Sequence, residues 1–370
     1  MIIKRAYFEN FRNLKECEIV PCENINIICG NNAQGKTNIL EGIWLFSGFR
    51  SFRGSKDNEL ISFDSDFFSN SLEFYASDRL QKARMAVSKQ QRRIILNDVP
   101  LRLTSELIGS FCCVVFSPSY LSLVKGGPNE RRRFTDTAIC QIMPSYAGVM
   151  KKFTRLMDQR NYLIKEIKRG RAQVSELDIW DEQLCEVEAK IANERIFYIN
   201  EIAQYVNEIH SGLSGQSENI ELKYLTRVGK YFKETVEISQ EEILRNLKNN
   251  VDKDLFNGMT MTGVHHDEIE ITVNGKNIKK FGSQGQQRSA VLALKLAEAE
   301  KLRDISGEEP VILLDDVMSE LDEHRQDYIL NHIADRQVFI TCCDPSTVPR
   351  LNTGYVFRVE NGNVSRETNR

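Results

Sequence analysis

Gly30-Asn31-Asn32-Ala33-Gln34-Gly35-Lys36-Thr37, near the start of the chain, matches the phosphate-loop pattern at every position. Its usual counterpart is an apolar run ending in carboxylates. That run, Val311-Ile312-Leu313-Leu314-Asp315-Asp316, lies near the other end. If both serve one phosphate group, the two ends of the chain must meet in a single α/β core. A helical lobe lying between them is then inserted into that core.

The flanks suit this reading. Ile25 to Cys29 reads as a strand. Asn38 to Phe46 reads as a helix, with Ile39, Ile43 and Phe46 on one face. In such a loop the glycines let backbone N–H groups curl around phosphate oxygens, and the helix N-terminus adds its positive end. Lys36 can reach the β- and γ-phosphates of ATP, and Thr37 can ligate Mg²⁺. Asp315, emerging from a buried strand, should hold Mg²⁺ directly or through water. Asp316 should orient the attacking water or accept its proton. It is one methylene shorter than a glutamate, which points to slow hydrolysis. The bland alternatives are a chance glycine-rich turn and a surface acid pair, and the match at all eight loop positions and both flanks argues against them.

A second anion-binding surface is written at Ser283-Gln284-Gly285-Gln286. A serine hydroxyl and a glycine N–H precede a helix read over 286–303. One phosphate loop already wraps the triphosphate, so this surface meets the same γ-phosphate most readily from a second copy of the chain. An ordinary N-capping serine is the alternative.

Composition limits the partners. The net charge of −3 excludes coating of nucleic acid by the whole surface, so any DNA contact must be local. No run of 18 apolar residues occurs, and Met1-Ile2-Ile3-Lys4-Arg5 leads into no secretory segment. The expectation is a cytoplasmic protein without a membrane partner. The nine cysteines include no C-x-x-C pair, and His265-His266-Asp267 lacks further metal ligands at suitable spacing.

Between the chain ends the pattern turns helical after Gly126-Gly127-Pro128. One long stripe runs from Phe134 through Leu156 to a stop at Gly170. A second runs from Trp180 to Ile209 and stops at Gly212. Alternation returns at Ile220–Thr226 and Glu268–Val273, and Asn274-Gly275 predicts a hairpin whose second strand covers 277–280. The expected division is a core from residues 1–120 plus 265–370 and a mainly helical lobe from 121–264. Basic residues cluster on the first stripe. Arg131, Arg132 and Arg133 open it. Lys151, Lys152, Arg155, Arg160, Lys165, Lys168, Arg169 and Arg171 follow against only Asp158 and Glu166. This asymmetry suits phosphate contacts with DNA. A solvated helical face, or a role of Arg131–Arg133 at the nucleotide or lobe interface, are the alternatives. A second patch at Lys82, Arg84, Lys89, Arg92 and Arg93 is undecided.

The chain resembles the RecF family, coil-less relatives of the SMC ATPases. The residues that carry the resemblance are Phe8-Glu9-Asn10-Phe11-Arg12-Asn13, Gly30–Asn38, Phe116-Ser117-Pro118, Gly126-Gly127-Pro128 with Arg131-Arg132-Arg133-Phe134 and Asp136, Ser283–Arg288, and Leu313–Asp316 with Ser319-Glu320-Leu321-Asp322. The resemblance implies an ABC-type head that dimerises on ATP and binds DNA. It also implies that the chain works with RecO and RecR to load recombinase at single-strand gaps. It places Arg12, Asn13 and Asn38 near the nucleotide and Ser283 on the γ-phosphate across the dimer. Gly263-Val264-His265-His266-Asp267-Glu268 departs from the family's Gly-Pro-His-Arg-Asp-Asp, and Thr341-Cys342 stands where transporter ATPases carry a histidine. Rival readings are a transporter ATPase subunit, a repair scaffold in which turnover is incidental, and a GTPase. No Asn-Lys-x-Asp motif supports the last.

Overall fold

The computed structural model describes residues 1–228, 231–234, 237–345 and 354–367. The chain divides into two compact units. One comprises Met1–Leu121 and Leu292–Arg370, and the other Ser122–Val291.

The first unit is built on two six-stranded sheets. The apolar run ending in Asp315 and the strand leading into the phosphate loop become parallel strands of one sheet. In spatial order its parallel strands are Cys113–Phe116, Val311–Asp315, Val338–Cys342, Ile25–Cys29 and Tyr355–Glu360, closed by the antiparallel strand Asn363–Glu367. The first three strands of that order are buried at every residue, as parallel strands covered on both faces must be. Strands from the two chain ends therefore interleave. Val338–Cys342 lies between the strand entering the phosphate loop and the strand ending in Asp315, with Asp315 opposite Thr341 and Cys342 opposite Cys29.

The other sheet is an antiparallel meander. Its order is Leu14–Ile19, Ile2–Phe11, Phe67–Ala76, Arg79–Ser88, Arg92–Leu96 and Val99–Leu101. The helix Lys36–Trp44 adds Ile39, Leu40 and Ile43 to the core formed by both sheets. That core includes Phe8, Phe68 and Phe74 of the meander and Val115, Leu313 and Phe339 of the parallel sheet. Gly42 is required there, because a Cβ would collide with the Phe8 ring.

The second unit contains the helices Pro128–Ile142, Ser145–Lys168 and Leu177–Leu213, and a four-stranded antiparallel sheet. The first helical stripe is thus two helices. Pro144 separates them by ending the run of N–H donors, and it stands at the N-cap of the second. The unit also contains more strand than expected, and its second boundary falls at Leu292 rather than 265. Glu268–Val273 pairs along its length with Ile220–Val228, which carries the hairpin into this unit. Asn274-Gly275 turns as predicted, both at positive φ, but the returning strand is only Lys276–Asn277. The Asn277 side chain then accepts from the Lys280 N–H and caps a short helix, Ile278–Phe281.

Candidate nucleotide site

Ile25–Cys29 ends at Gly30, where the chain makes the phosphate loop and enters Lys36–Trp44. Gly30, Ala33 and Gly35 have φ of +152°, +64° and +117°. A Cβ on Gly30 would collide with the Val359 carbonyl, and one on Gly35 with the Asn13 amide. The glycines are therefore required by close approach as well as by backbone angle. No side chain caps this helix, and the Asn38 N–H donates to Gly35 O at 3.0 Å, so the amides of Lys36 and Thr37 are the ones that can meet an anion.

Lys36 is buried. Its Nζ donates to Gly30 O at 2.7 Å and Asn31 O at 3.1 Å, and lies 3.8 Å from Cys343 Sγ. Thr37 Oγ1 donates to Asp315 Oδ1 at 2.7 Å, and Thr341 Oγ1 donates to the same oxygen at 3.0 Å. Burial pushes the Asp315 carboxyl up and neighbouring Asp316 adds to this. The two hydroxyls and, more remotely, Arg53 pull it back. Asp316 is held in the left-handed region at φ +51°, with its N–H donated to Thr341 Oγ1 at 2.9 Å. A hydroxyl and a carboxylate oxygen side by side form a hard-oxygen pair that fits Mg²⁺. That ion is usually held by one or two protein groups plus phosphates. Among the described residues no cluster of three His, Cys, Asp or Glu offers a self-sufficient metal cage.

Asn13 borders the loop. Its Nδ2 donates to Gln34 O at 2.9 Å, and its Oδ1 accepts from Asn38 Nδ2 at 2.7 Å. Asn31 and Asn32 are on the same loop, and Asn32 Oδ1 accepts from Cys343 Sγ at 3.2 Å. Arg12 is engaged elsewhere. It forms a two-pronged pair with the buried Glu41 at 2.9 and 2.8 Å and donates to Ser55 Oγ at 2.6 Å. Arg53 lies 3.6 Å from the same carboxylate and donates to Asn38 Oδ1 at 3.0 Å.

In the second unit, Ser283 caps the helix Gln284–Ser306. Its Oγ accepts from Gln286 N at 3.2 Å, and Gln286 Oε1 accepts from Ser283 N at 2.8 Å. This reciprocal capping box leaves Ser283 and Gln284 exposed at the helix N-terminus and Gly285 half-buried. Gln286 also donates to Glu218 at 2.7 Å.

The DNA expectation needs correcting at three positions. Arg131 and Arg132 are buried. Arg131 pairs with Glu268 at 2.6 and 2.7 Å, and Arg132 donates to Asp267 O and Asn129. Arg160 is fully buried between Asp181 and Asp254. Their charges are spent inside the unit and are not presented to phosphate. Lys151, Lys152 and Arg155 are exposed on Ser145–Lys168, with Lys152 3.5 Å from Glu186. Among the described residues, His265 and His266 belong to no group of three His, Cys, Asp or Glu side chains that could hold a metal ion. Burial, followed by repulsion from His266, pushes His265 down to about 4, and its Nε2 lies 3.3 Å from Thr260 O.

A family model described as an AAA ATPase domain matches residues 1–98. Two proteins named DNA replication and repair protein RecF match almost end to end. That of Acetivibrio thermocellus is 39% identical over 98% of this chain and 99% of its own, and that of Halothermothrix orenii 40% over 99% of both. The chain belongs to the RecF family. A solved structure described as the recombination mediator protein RecF with ATP in the RecFOR pathway superimposes with a TM-score of 0.91 at 35% identity. It covers 99% of this chain and 98% of its own. The SMC head domain from Pyrococcus furiosus superimposes with a TM-score of 0.55 at 16% identity over 99% of this chain and 96% of its own, which shows the shared fold alone. The fold of this RecF-family chain is thus that of an ABC-type ATPase head.

Sequence reasoning missed Thr341, Cys343 and Glu41. Thr341 was weighed, with Cys342, only as standing where transporter ATPases carry a histidine, and Cys343 only as one of the nine cysteines. Glu41, a lone acid amid Ile39, Leu40 and Ile43, was legible as a group needing a cation, and Arg12 is that cation.

Proposed function

We propose that this chain is an ATP-gated, DNA-binding protein of recombinational repair whose slow ATP hydrolysis resets it. The observation that carries the reading is the Thr37–Asp315–Thr341 cluster beside a buried, carboxylate-free Lys36, at the mouth of an uncapped helix. Lys36 exchanges two backbone carbonyls for phosphate oxygens. Thr37 and Asp315 hold Mg²⁺, which screens the triphosphate charge when bound. Asp316, set at the strand end by Thr341, orients the attacking water. Asn13 and Asn38 fix the loop, and Arg12 supports it through Glu41 rather than touching the nucleotide.

Ser283, with Gly285 and the helix N-terminus behind it, completes the pocket from a second copy. ATP then acts as a ligand that favours the closed homodimer. The capping hydroxyl of Ser283 keeps lone pairs and an orientable proton for this purpose. Lys151, Lys152 and Arg155 form the basic face offered to DNA with little sequence preference. Family membership supports RecR and RecO as partners.

Sedimentation with and without ATP tests the reading. Wild type should dimerise on ATP, and Ser283→Arg should bind ATP yet stay monomeric. A variant that pairs like wild type removes Ser283 from the interface. Asp316→Asn should keep dimerisation and lose turnover. If that variant retains full repair, the scaffold reading replaces the switch.

A further inference from the structure

We infer that the second unit holds a ligand site of its own, which takes a guanidinium or amidinium group in a cavity floored by Glu188. The long helix Leu177–Leu213 buries Glu188 completely, and neither carboxyl oxygen meets a hydrogen-bond partner. The other wholly buried acids of this unit are satisfied. Asp181 and Asp254 share Arg160, and Asp267 accepts from Tyr224, Thr226 and the Arg227 N–H. Folded proteins seldom leave such an acid alone without a use for it.

The surroundings have the form of a built pocket. Glu188 lines a cavity of about 220 Å³ together with Thr262, whose buried hydroxyl is also unpartnered. Ile238, Ile243, Leu247 and Val264 supply apolar wall. Gly263, at φ +125°, brings the backbone against the carboxyl, where any side chain would collide with it. Two adjacent acceptor oxygens match the two parallel N–H groups of a planar amidine-type head, and the Thr262 hydroxyl offers a third acceptor. An ammonium fits this geometry less well.

The charges around Glu188 are mixed in sign. Asp267 repels its ionised form most strongly, and Asp181 adds to this. Arg160 and Arg195 oppose them, but both are already paired, with Asp181 and Asp254 and with Asp136. Arg227, Glu242 and Arg245 also line the cavity. Burial holds the empty site's carboxyl well above the usual carboxylate range, so taking up a cation must release a proton.

The head group occurs on free alkylguanidines and on arginine side chains, and titration calorimetry of the full chain distinguishes them. Ethylguanidinium and N-acetylarginine methylamide are the probes, with ethylammonium and sodium chloride as controls. Each is run in two buffers of different ionisation enthalpy. Wild type should bind ethylguanidinium more tightly than ethylammonium and release a proton. Glu188→Gln should weaken binding by roughly tenfold or more and abolish the release. Thr262→Val should weaken it less, and it provides a second variant if Glu188→Gln does not fold. Binding of both probes supports the head group alone as what is recognised. Binding of the arginine derivative alone supports a partner's side chain as the occupant. Ethylguanidinium heats equal to those of sodium chloride, with no binding of the arginine derivative, would overturn the site. So would equal affinity in Glu188→Gln.

Discussion

Arg160 in the second unit and Lys36 in the first are both buried cations. Arg160 is enclosed by the carboxylates of Asp181 at 2.6 Å and Asp254 at 2.7 Å and by the Thr260 hydroxyl at 2.7 Å. Lys36 rests on two carbonyls and a thiol. The buried acids divide in the same way. Asp254 is neutralised by a guanidinium, whereas Asp315 is held by two hydroxyls. A charge that maintains a fold is matched from within the chain. A charge that is to meet a ligand is kept polarised and unmatched, at some cost to the empty protein. Arg160 and its two acids serve the rigidity of the second unit, whereas at the phosphate loop Lys36 and Asp315 are held in reserve.

The largest test of this contrast is Arg160→Met. Removing the guanidinium strands two buried carboxylates and should cost about 3–5 kcal/mol in urea unfolding. A cost below about 1 kcal/mol would mean the network is no structural keystone. The histidine pair gives a pH counterpart. His265 is pushed down to about 4 from an ordinary 6.5, so the unfolded chain takes up a proton that the fold refuses. Stability is complete above pH 6.5 and falls through the window from 6.5 to about 4, by about 3 kcal/mol in total. His265→Gln should flatten that slope in acid unfolding curves.

Lys36→Met should show the opposite profile to Arg160→Met. Unfolding stability should stay within about 1 kcal/mol of wild type, because no carboxylate is orphaned. ATP affinity should fall by about 2 kcal/mol in equilibrium titration. If Lys36→Met destabilises as strongly as Arg160→Met, the distinction between the two cations fails. The smallest effects belong to the exposed basic face. Lys151→Ala with Arg155→Ala should leave stability within about 0.5 kcal/mol. Each should reduce the salt slope of DNA affinity by about 0.9. An unchanged slope would move the DNA contact off this helix.

The parallel strands and the phosphate loop were legible because both are local patterns: continuous apolar runs and an eight-residue spacing rule. The meander was legible in part. In Phe67–Ala76 the alternation is broken in the sequence, since buried Asn70 interrupts the inward row of Phe68, Leu72 and Phe74. The basic stretch misled for a related reason. Charge counting along a helix cannot tell Arg155, exposed, from Arg160, which is turned inward toward acids that lie far along the chain. The role of Thr341 was equally hidden, because it follows from strand register opposite Asp315, which no local spacing encodes.

The turn at Asn361-Gly362 touches the phosphate loop from the far end of the chain. Gly362 N donates to Gln34 O at 3.2 Å and Asn361 N donates to Gln34 Oε1. A Cβ on Gly362 would strike the Asn13 carbonyl. During synthesis the loop emerges 327 residues ahead of the Asn361 that braces it. A nascent chain that has not yet reached Asn361 therefore lacks this brace on Gln34.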